Sequence, residues 1–193
     1  MQIRLRRDAL PARHVLDGGR TNVTPLGRAL VPALLIRPAA QADIERIQQI
    51  AAESLVLKSI SINAYAAWCA EFPLTSVVGE IGGKLVGFAL GAPLRTSRGR
   101  LFVWQVAVDH PYRDRKVGIS MLDYLLDEVA AEGISVLEGV TAADAGASLA
   151  LFESLARRRG AWLSERPFVD NCADDPRDTR RRIEIYCRTG TSA

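Results

Sequence analysis

Cysteine, histidine and aromatic residues are all scarce in this chain, and each shortage closes off a kind of chemistry. Its 193 residues include three cysteines and two histidines, and aromatics make up 6%. Cys69, Cys172 and Cys187 form no CxxC pair and no even ladder, which points to reduced thiols rather than a disulfide framework. With only His14 and His110 and no cysteine cluster, no metal site is expected. No apolar run is long enough to span a bilayer, and the basic N-terminal stretch lacks the apolar segment of a signal peptide. The net charge is only +3, too little by itself to indicate nucleic acid. There is no G-x-S-x-G nucleophile elbow and no G-x-x-x-x-G-K-[ST] loop, so neither a serine hydrolase of that type nor a P-loop NTPase is expected. The expectation is a cytoplasmic protein with no membrane and no nucleic-acid partner.

What is present is an ordinary globular composition, 48% apolar and 24% charged, enough for one buried core. Residues 1–32 mix Arg, Gly, Pro, Asn and Thr without sustained periodicity and read as a disordered N-terminal extension. Residues 33–190 read as a single domain. Ala33 to Arg37 suggests a strand stopped by Pro38. A helix follows from Asp43, with Ile44, Ile47, Ile50 and Ala51 on one face. Asn63 to Phe72 reads as a second helix ended by Pro73. Ser76 to Ile81 and Leu85 to Ala92 form a hairpin through Gly82-Gly83. Leu101 to Val108 is the next strand. Gly118 to Glu132 is a helix closed by Gly133, and Ser135 to Val140 is a strand. Ser148 to Arg159 is a helix closed by Gly160, and strands at Ala161 to Leu163 and Ile183 to Arg188 end the domain. Hairpins first and helical crossovers later predict an α/β fold with a mixed, mostly antiparallel sheet and helices on both faces.

Arginines cluster at Arg4, Arg6, Arg7, Arg13, Arg20 and Arg28, at Arg113-Asp114-Arg115-Lys116, and at Arg157 to Arg159 and Arg180 to Arg182. Only the second group lies between a strand and a helix. That position gathers basic side chains and the free N–H groups of a helix start around one point, which suits a pyrophosphate. The other clusters read as solvated faces or tails.

The element order, with Arg113-x-x-Lys116-x-Gly118 after the long central strand, resembles the GNAT superfamily of acetyl-CoA-dependent N-acetyltransferases. The family motif is Q/R-x-x-G-x-G/A, so Lys116 stands at the first glycine and Gly118 at the second. The likeness spans residues 34 to 188. More narrowly, Val103-Trp104-Gln105-Val106-Ala107-Val108, Tyr65 with Cys69, and Ser148 to Ala161 resemble the L-2,4-diaminobutyrate acetyltransferases of ectoine biosynthesis. The D-x-N-S-x-Y-x-Y segment of that family is replaced here by Lys58-Ser59-Ile60-Ser61-Ile62-Asn63-Ala64-Tyr65. Asp144-Ala145 stands where an asparagine usually precedes the fourth helix.

The resemblance implies a GNAT-like sheet with a splayed strand, acetyl-CoA as co-substrate, a small-molecule amine as acceptor and a homodimer. Backbone groups of Val106, Ala107 and Val108 would meet the pantetheine arm. Arg113, Arg115, Lys116, Val117, Gly118, Ile119 and Ser120 would hold the pyrophosphate. Trp104 is either a wall of the amine pocket or a core tryptophan, and strand alternation turns Gln105 to the opposite face. Glu184 is either an anchor for the substrate ammonium, and a base, or a surface carboxylate. Tyr65 either binds substrate and relays a proton or packs a helix. Phe152 occupies the region where many relatives carry an acidic tyrosine. Acetylation of the γ-amine of diaminobutyrate leads. Another small amine as acceptor, and a non-catalytic acetyl-CoA-binding module, are the alternatives.

Overall fold

The computed structural model describes residues 32–54, 57, 60–142, 144–168 and 180–187. The extension expected over 1–32, apart from Pro32, and Lys58 and Ser59 of the diamine segment lie outside these residues. The chain from Pro32 onward is one compact unit. Its strands are β1 (Leu34–Pro38), β2 (Ser76–Ile81), β3 (Lys84–Pro93), β4 (Arg100–Val108), β5 (Val136–Thr141), β6 (Trp162–Pro167) and β7 (Arg181–Tyr186). Its helices are α1 (Ile44–Ala52), α2 (Ile62–Glu71), α3 (Val117–Ala130) and α4 (Gly146–Arg159). Single 3-10 turns, Gln41–Asp43 and His110–Arg115, precede α1 and α3.

The seven strands form one sheet in the order β1-β2-β3-β4-β5-β7-β6. Every neighbouring pair is antiparallel except β4 and β5. The mixed, mostly antiparallel sheet expected from the sequence is therefore present. α3 and α4 cover one face, where Val117, Met121, Leu122 and Leu125 pack with Leu101, Val103, Leu137, Ile183 and Ile185. α1 and α2 cover the other face over Val78, Phe88, Leu90 and Ala107. The β2–β3 hairpin turns through Gly82 and Gly83 at φ 61° and 76°, the left-handed pair that a two-residue turn needs.

An ion-pair knot locks the first elements. Arg37 on β1 donates to Asp43 at 2.6 and 2.9 Å and to Glu80 on β2 at 2.5 and 3.1 Å. Asp43 also accepts the Ala40 N–H at 2.7 Å. The expected helix-starting acid thus closes the 3-10 turn ahead of α1. The Arg37 hydrogen bond is the main reason its carboxyl stays below the usual range, despite partial burial.

Candidate active site

The site begins with a flaw in β4. Against β3, Leu90 pairs with Gln105 and Gly91 with Val103, so Trp104 is an extra residue. Such a bulge resets the side-chain alternation. Leu101 and Val103 point to α3 and α4, but Trp104 and Gln105 both turn to the α2 side. This corrects the expectation that strand alternation separates them. The Tyr65 hydroxyl, on α2, donates to Gln105 Oε1 at 3.0 Å. Its ring lies 6.1 Å from Trp104 and 6.3 Å from Phe88. Trp68, one turn further along α2, stacks on Trp104 at 4.2 Å. Tyr65 is 0% exposed, and its hydroxyl meets Gln105, which lines the cleft described below. Ser61 is spent as the N-cap of α2, accepting the Ala64 N–H at 3.3 Å.

Beyond the bulge, β4 leaves its parallel partner. Pairing with β5 ends at Val103 and Gly139. Asp109 N–H donates to the Val86 carbonyl on β3 at 2.8 Å. By alternation the peptide groups of Val106 and Val108 point away from β3, into the gap. A cleft of about 50 Å³ occupies that gap, lined by Trp104, Gln105, Val106, Val140, Thr141, Ser148 and Phe152 among others. The Phe152 ring lies so close over Gly139 that a Cβ there would fall 2.5 Å from Cζ. The splayed strand is thus a real opening, held by an aromatic ring on a glycine. Phe152 offers no proton. The hydroxyls lining the cleft are those of Thr141 and Ser148.

At the far end of β4 the chain turns through the 3-10 segment. Asp109, at its start, is buried and accepts from Arg46 on α1 at 2.6 Å, with Lys84 at 3.6 Å. Lys116 then adopts φ 60°, ψ 17°, and is the only non-glycine with positive φ among the described residues. The family motif has glycine at this position, and the backbone keeps the glycine conformation with a lysine in it. The Lys116 carbonyl accepts the Ser120 N–H at 3.0 Å. The N–H groups of Val117, Gly118 and Ile119 remain as the first-turn donors of α3. A Cβ at Gly118 would meet Leu151 and Val108 at 3.4 and 3.5 Å, ordinary contact, so packing alone does not require this glycine. Arg115 lies over the Tyr112 ring at 5.2 Å. Arg113 Nε donates to the Val108 carbonyl at 3.3 Å, on the edge of β4 rather than over α3. These residues fit an extended phosphorylated thioester: peptide groups along β4, then helix N–H groups and cations at α3.

Glu184 lies on the same sheet face as Trp104, two strands away. It is 4% exposed. Arg100 at the start of β4 bonds it closely, the Tyr186 hydroxyl donates to it at 2.9 Å, and Arg166 lies at 3.7 Å. Burial pushes its carboxyl up, but the hydrogen bonds from Arg100 and Tyr186 and the nearby positive charge outweigh this and hold it below the usual range. Beside it, buried Glu138 on β5 pairs with Arg100 and with Arg182, each at 3.3 Å. Sequence reading missed Arg100, Glu138, Trp68 and the role of Gln105. Only the bulge and the register across three strands bring them together, and neither has a local sequence signal.

A thioester laid along the free edge of β4 would have its phosphates at α3 and its acyl group beside Trp104, the layout of an amine acyltransferase that uses coenzyme A. The chain belongs to the acetyltransferase (GNAT) family, whose family model matches residues 41–156, and within it to the L-2,4-diaminobutyric acid acetyltransferases. It is 43% identical to the enzyme of that name from Nocardia farcinica over 136 residues, 70% of each chain. It is 40% identical to that of Streptomyces coelicolor over 166 residues, covering 79% of this chain and 95% of the relative. In fold it is similar to diaminobutyrate acetyltransferase EctA from Paenibacillus lautus, solved with its substrate L-2,4-diaminobutyric acid and coenzyme A. That likeness has a TM-score of 0.72 at 22% identity and covers 80% of this chain and 95% of the other.

Proposed function

We propose that this chain transfers the acetyl group of acetyl-CoA to the γ-amine of L-2,4-diaminobutyrate. The observation that carries this reading is the opening of β4 from β5 directly after the bulge that turns Trp104 and Gln105 to one face. It puts a free peptide edge for the thioester against an aromatic wall for the amine. The named relatives supply the identity of the acceptor.

Acetyl-CoA supplies the activated acyl group. Lys116 and the N–H groups of Val117, Gly118 and Ile119 hold its phosphates. Arg115 and the Ser120 side chain add to that end of the site. The peptide groups of Val106 and Val108 line the pantetheine, while those of Ala107, expected there too, face β3 instead, and the Val106 N–H faces the gap where the carbonyl oxygen gathers charge. Arg113 Nε bonds the Val108 carbonyl at the phosphate end of that edge. On the acceptor side Trp104 walls the cleft and offers its π-face to an ammonium. Gln105, with Oε1 bonded to Tyr65, lines the cleft beside Trp104. Glu184 stays anionic and anchors a substrate ammonium. A carboxylate held this low is a weak base near neutral pH, so the amine proton leaves to solvent at the cleft. The reading extends to ectoine biosynthesis, a cytoplasmic location and a homodimer formed through the β1 or β6 edge, where Leu35 and Trp162 are exposed.

Thiol release with diaminobutyrate, ornithine and lysine tests the acceptor. Diaminobutyrate is expected to be turned over far faster than the longer diamines. Turnover of another amine alone overturns the acceptor but not the acetyl-CoA site, and tight acetyl-CoA binding without turnover of any amine leaves a binding module.

A further inference from the structure

Among the described residues, the guanidiniums on the half of the α2-side face built from β5, β7 and β6 outnumber the carboxylates they pair with. Val103 and Gly139 are the last paired residues of β4 and β5, so Trp104 and Val140 begin the splay together. Val140 pairs with Arg182 on β7, and Arg182 with Arg166 on β6. Trp104, Val140, Arg182 and Arg166 therefore form one row across the sheet, on one face, beside the acyl-transfer cleft. Two arginines directly opposite on antiparallel strands repel each other. Three guanidiniums, of Arg100, Arg166 and Arg182, share two carboxylates, of Glu138 and Glu184. Arg100 reaches both. Arg182 Nε lies 3.3 Å from Glu138 Oε1, its guanidinium rests over the Phe168 ring at 5.4 Å, and its side chain stays 40% exposed. A partly exposed cross-strand pair of like charge, in a cluster of three guanidiniums on two carboxylates, suits a further anion.

We infer that Arg182, with Arg166 beside it, binds the α-carboxylate of the amino-acid acceptor. The inference rests on the proposed reaction and deepens it. Glu184 lies two residues from Arg182 on the same side of β7, so one strand presents a carboxylate to the acceptor's α-ammonium and a guanidinium to its α-carboxylate. The side-chain amine is then left to extend along the row toward Trp104 and the cleft. This arrangement makes the enzyme selective for an amino acid over the simple diamine of the same length.

The experiment compares diaminobutyrate with 1,3-diaminopropane, the same molecule without its carboxylate, in the wild type and in Arg182→Gln and Arg182→Lys. Wild type is expected to favour diaminobutyrate strongly. Arg182→Gln is expected to raise the KM for diaminobutyrate by about 30-fold, as loss of a charged hydrogen bond does, with kcat and the diaminopropane kcat/KM little changed. Arg182→Lys is expected to fall between, with a melting temperature near wild type. An equal fall on both substrates makes Arg182 structural and overturns the inference, as does a wild type that does not distinguish the two. Should wild type acetylate a different amino acid, the diaminobutyrate reading alone fails, and the same comparison with that amino acid and its decarboxylated amine decides on Arg182.

Discussion

At Lys116 two demands meet in one residue. The turn into α3 needs a left-handed backbone, which a side chain resists by about 1 kcal/mol, while the phosphate site proposed there favours a cation. Lys116→Gly is expected to raise stability by about 1 kcal/mol in chemical denaturation and to weaken acetyl-CoA binding several-fold in calorimetry. Unchanged affinity would show that the lysine head group does not reach the phosphates. Tyr65 gives a second residue-scale expectation. Removing its hydroxyl takes one hydrogen bond from the buried Gln105, at a cost of about 1 kcal/mol. Tyr65→Phe should lower kcat and leave the acetyl-CoA KM near wild type, measured by steady-state thiol release. The third concerns acid. The Glu184 carboxyl lies below its ordinary value in the fold, so its contribution is complete above the unfolded value of about 4.3. That contribution is lost as pH falls through the lower folded value. Thermal melts should show wild type losing more stability than Glu184→Gln between neutral pH and pH 3.

Elements, unlike single side chains, were largely legible before any fold was known. The apolar spacing of Ile44, Ile47 and Ile50, the Gly82-Gly83 turn and the glycines after α3 and α4 are local signals, and the elements they mark formed within a few residues of expectation. Where boundaries moved, tertiary pairing moved them. β6 runs on to Pro167 and β7 begins at Arg181 because the two pair along their whole length. The bulge in β4 was not legible, since Val103 to Val108 reads as uninterrupted alternation. Its cause is the register that β3 imposes at Leu90 and Gly91. The β4–β5 splay depends in turn on α4 seating Phe152 over Gly139. Gly139→Ala places a Cβ 2.5 Å from that ring and is expected to cost about 1–3 kcal/mol. Pairing it with Phe152→Leu should recover much of the loss in urea denaturation. No recovery would mean that the ring does not set the helix position.

For the whole molecule, the proposed cofactor groove follows one continuous stretch of chain, from the β4 edge through the turn at Lys116 to the first turn of α3. Arg46 and Asp109 tie α1 to that turn, so binding is coupled to the packing of both layers. Coenzyme A at 100 times its dissociation constant should add about 2.7 kcal/mol of stability, read as a rise in melting temperature that Gly118→Val reduces or abolishes. A rise of equal size in that variant would remove Gly118 from the phosphate site. The sequence by itself determined the order of elements, the basic turn before α3 and the family, because capping residues, glycines and apolar spacing act over a few neighbours. Only the tertiary structure decided that Trp104 and Gln105 share a face, that Tyr65 bonds Gln105, and that Glu184 is buried among arginines. Those facts depend on strand register, where a single extra residue in β4 reverses which side every later side chain faces.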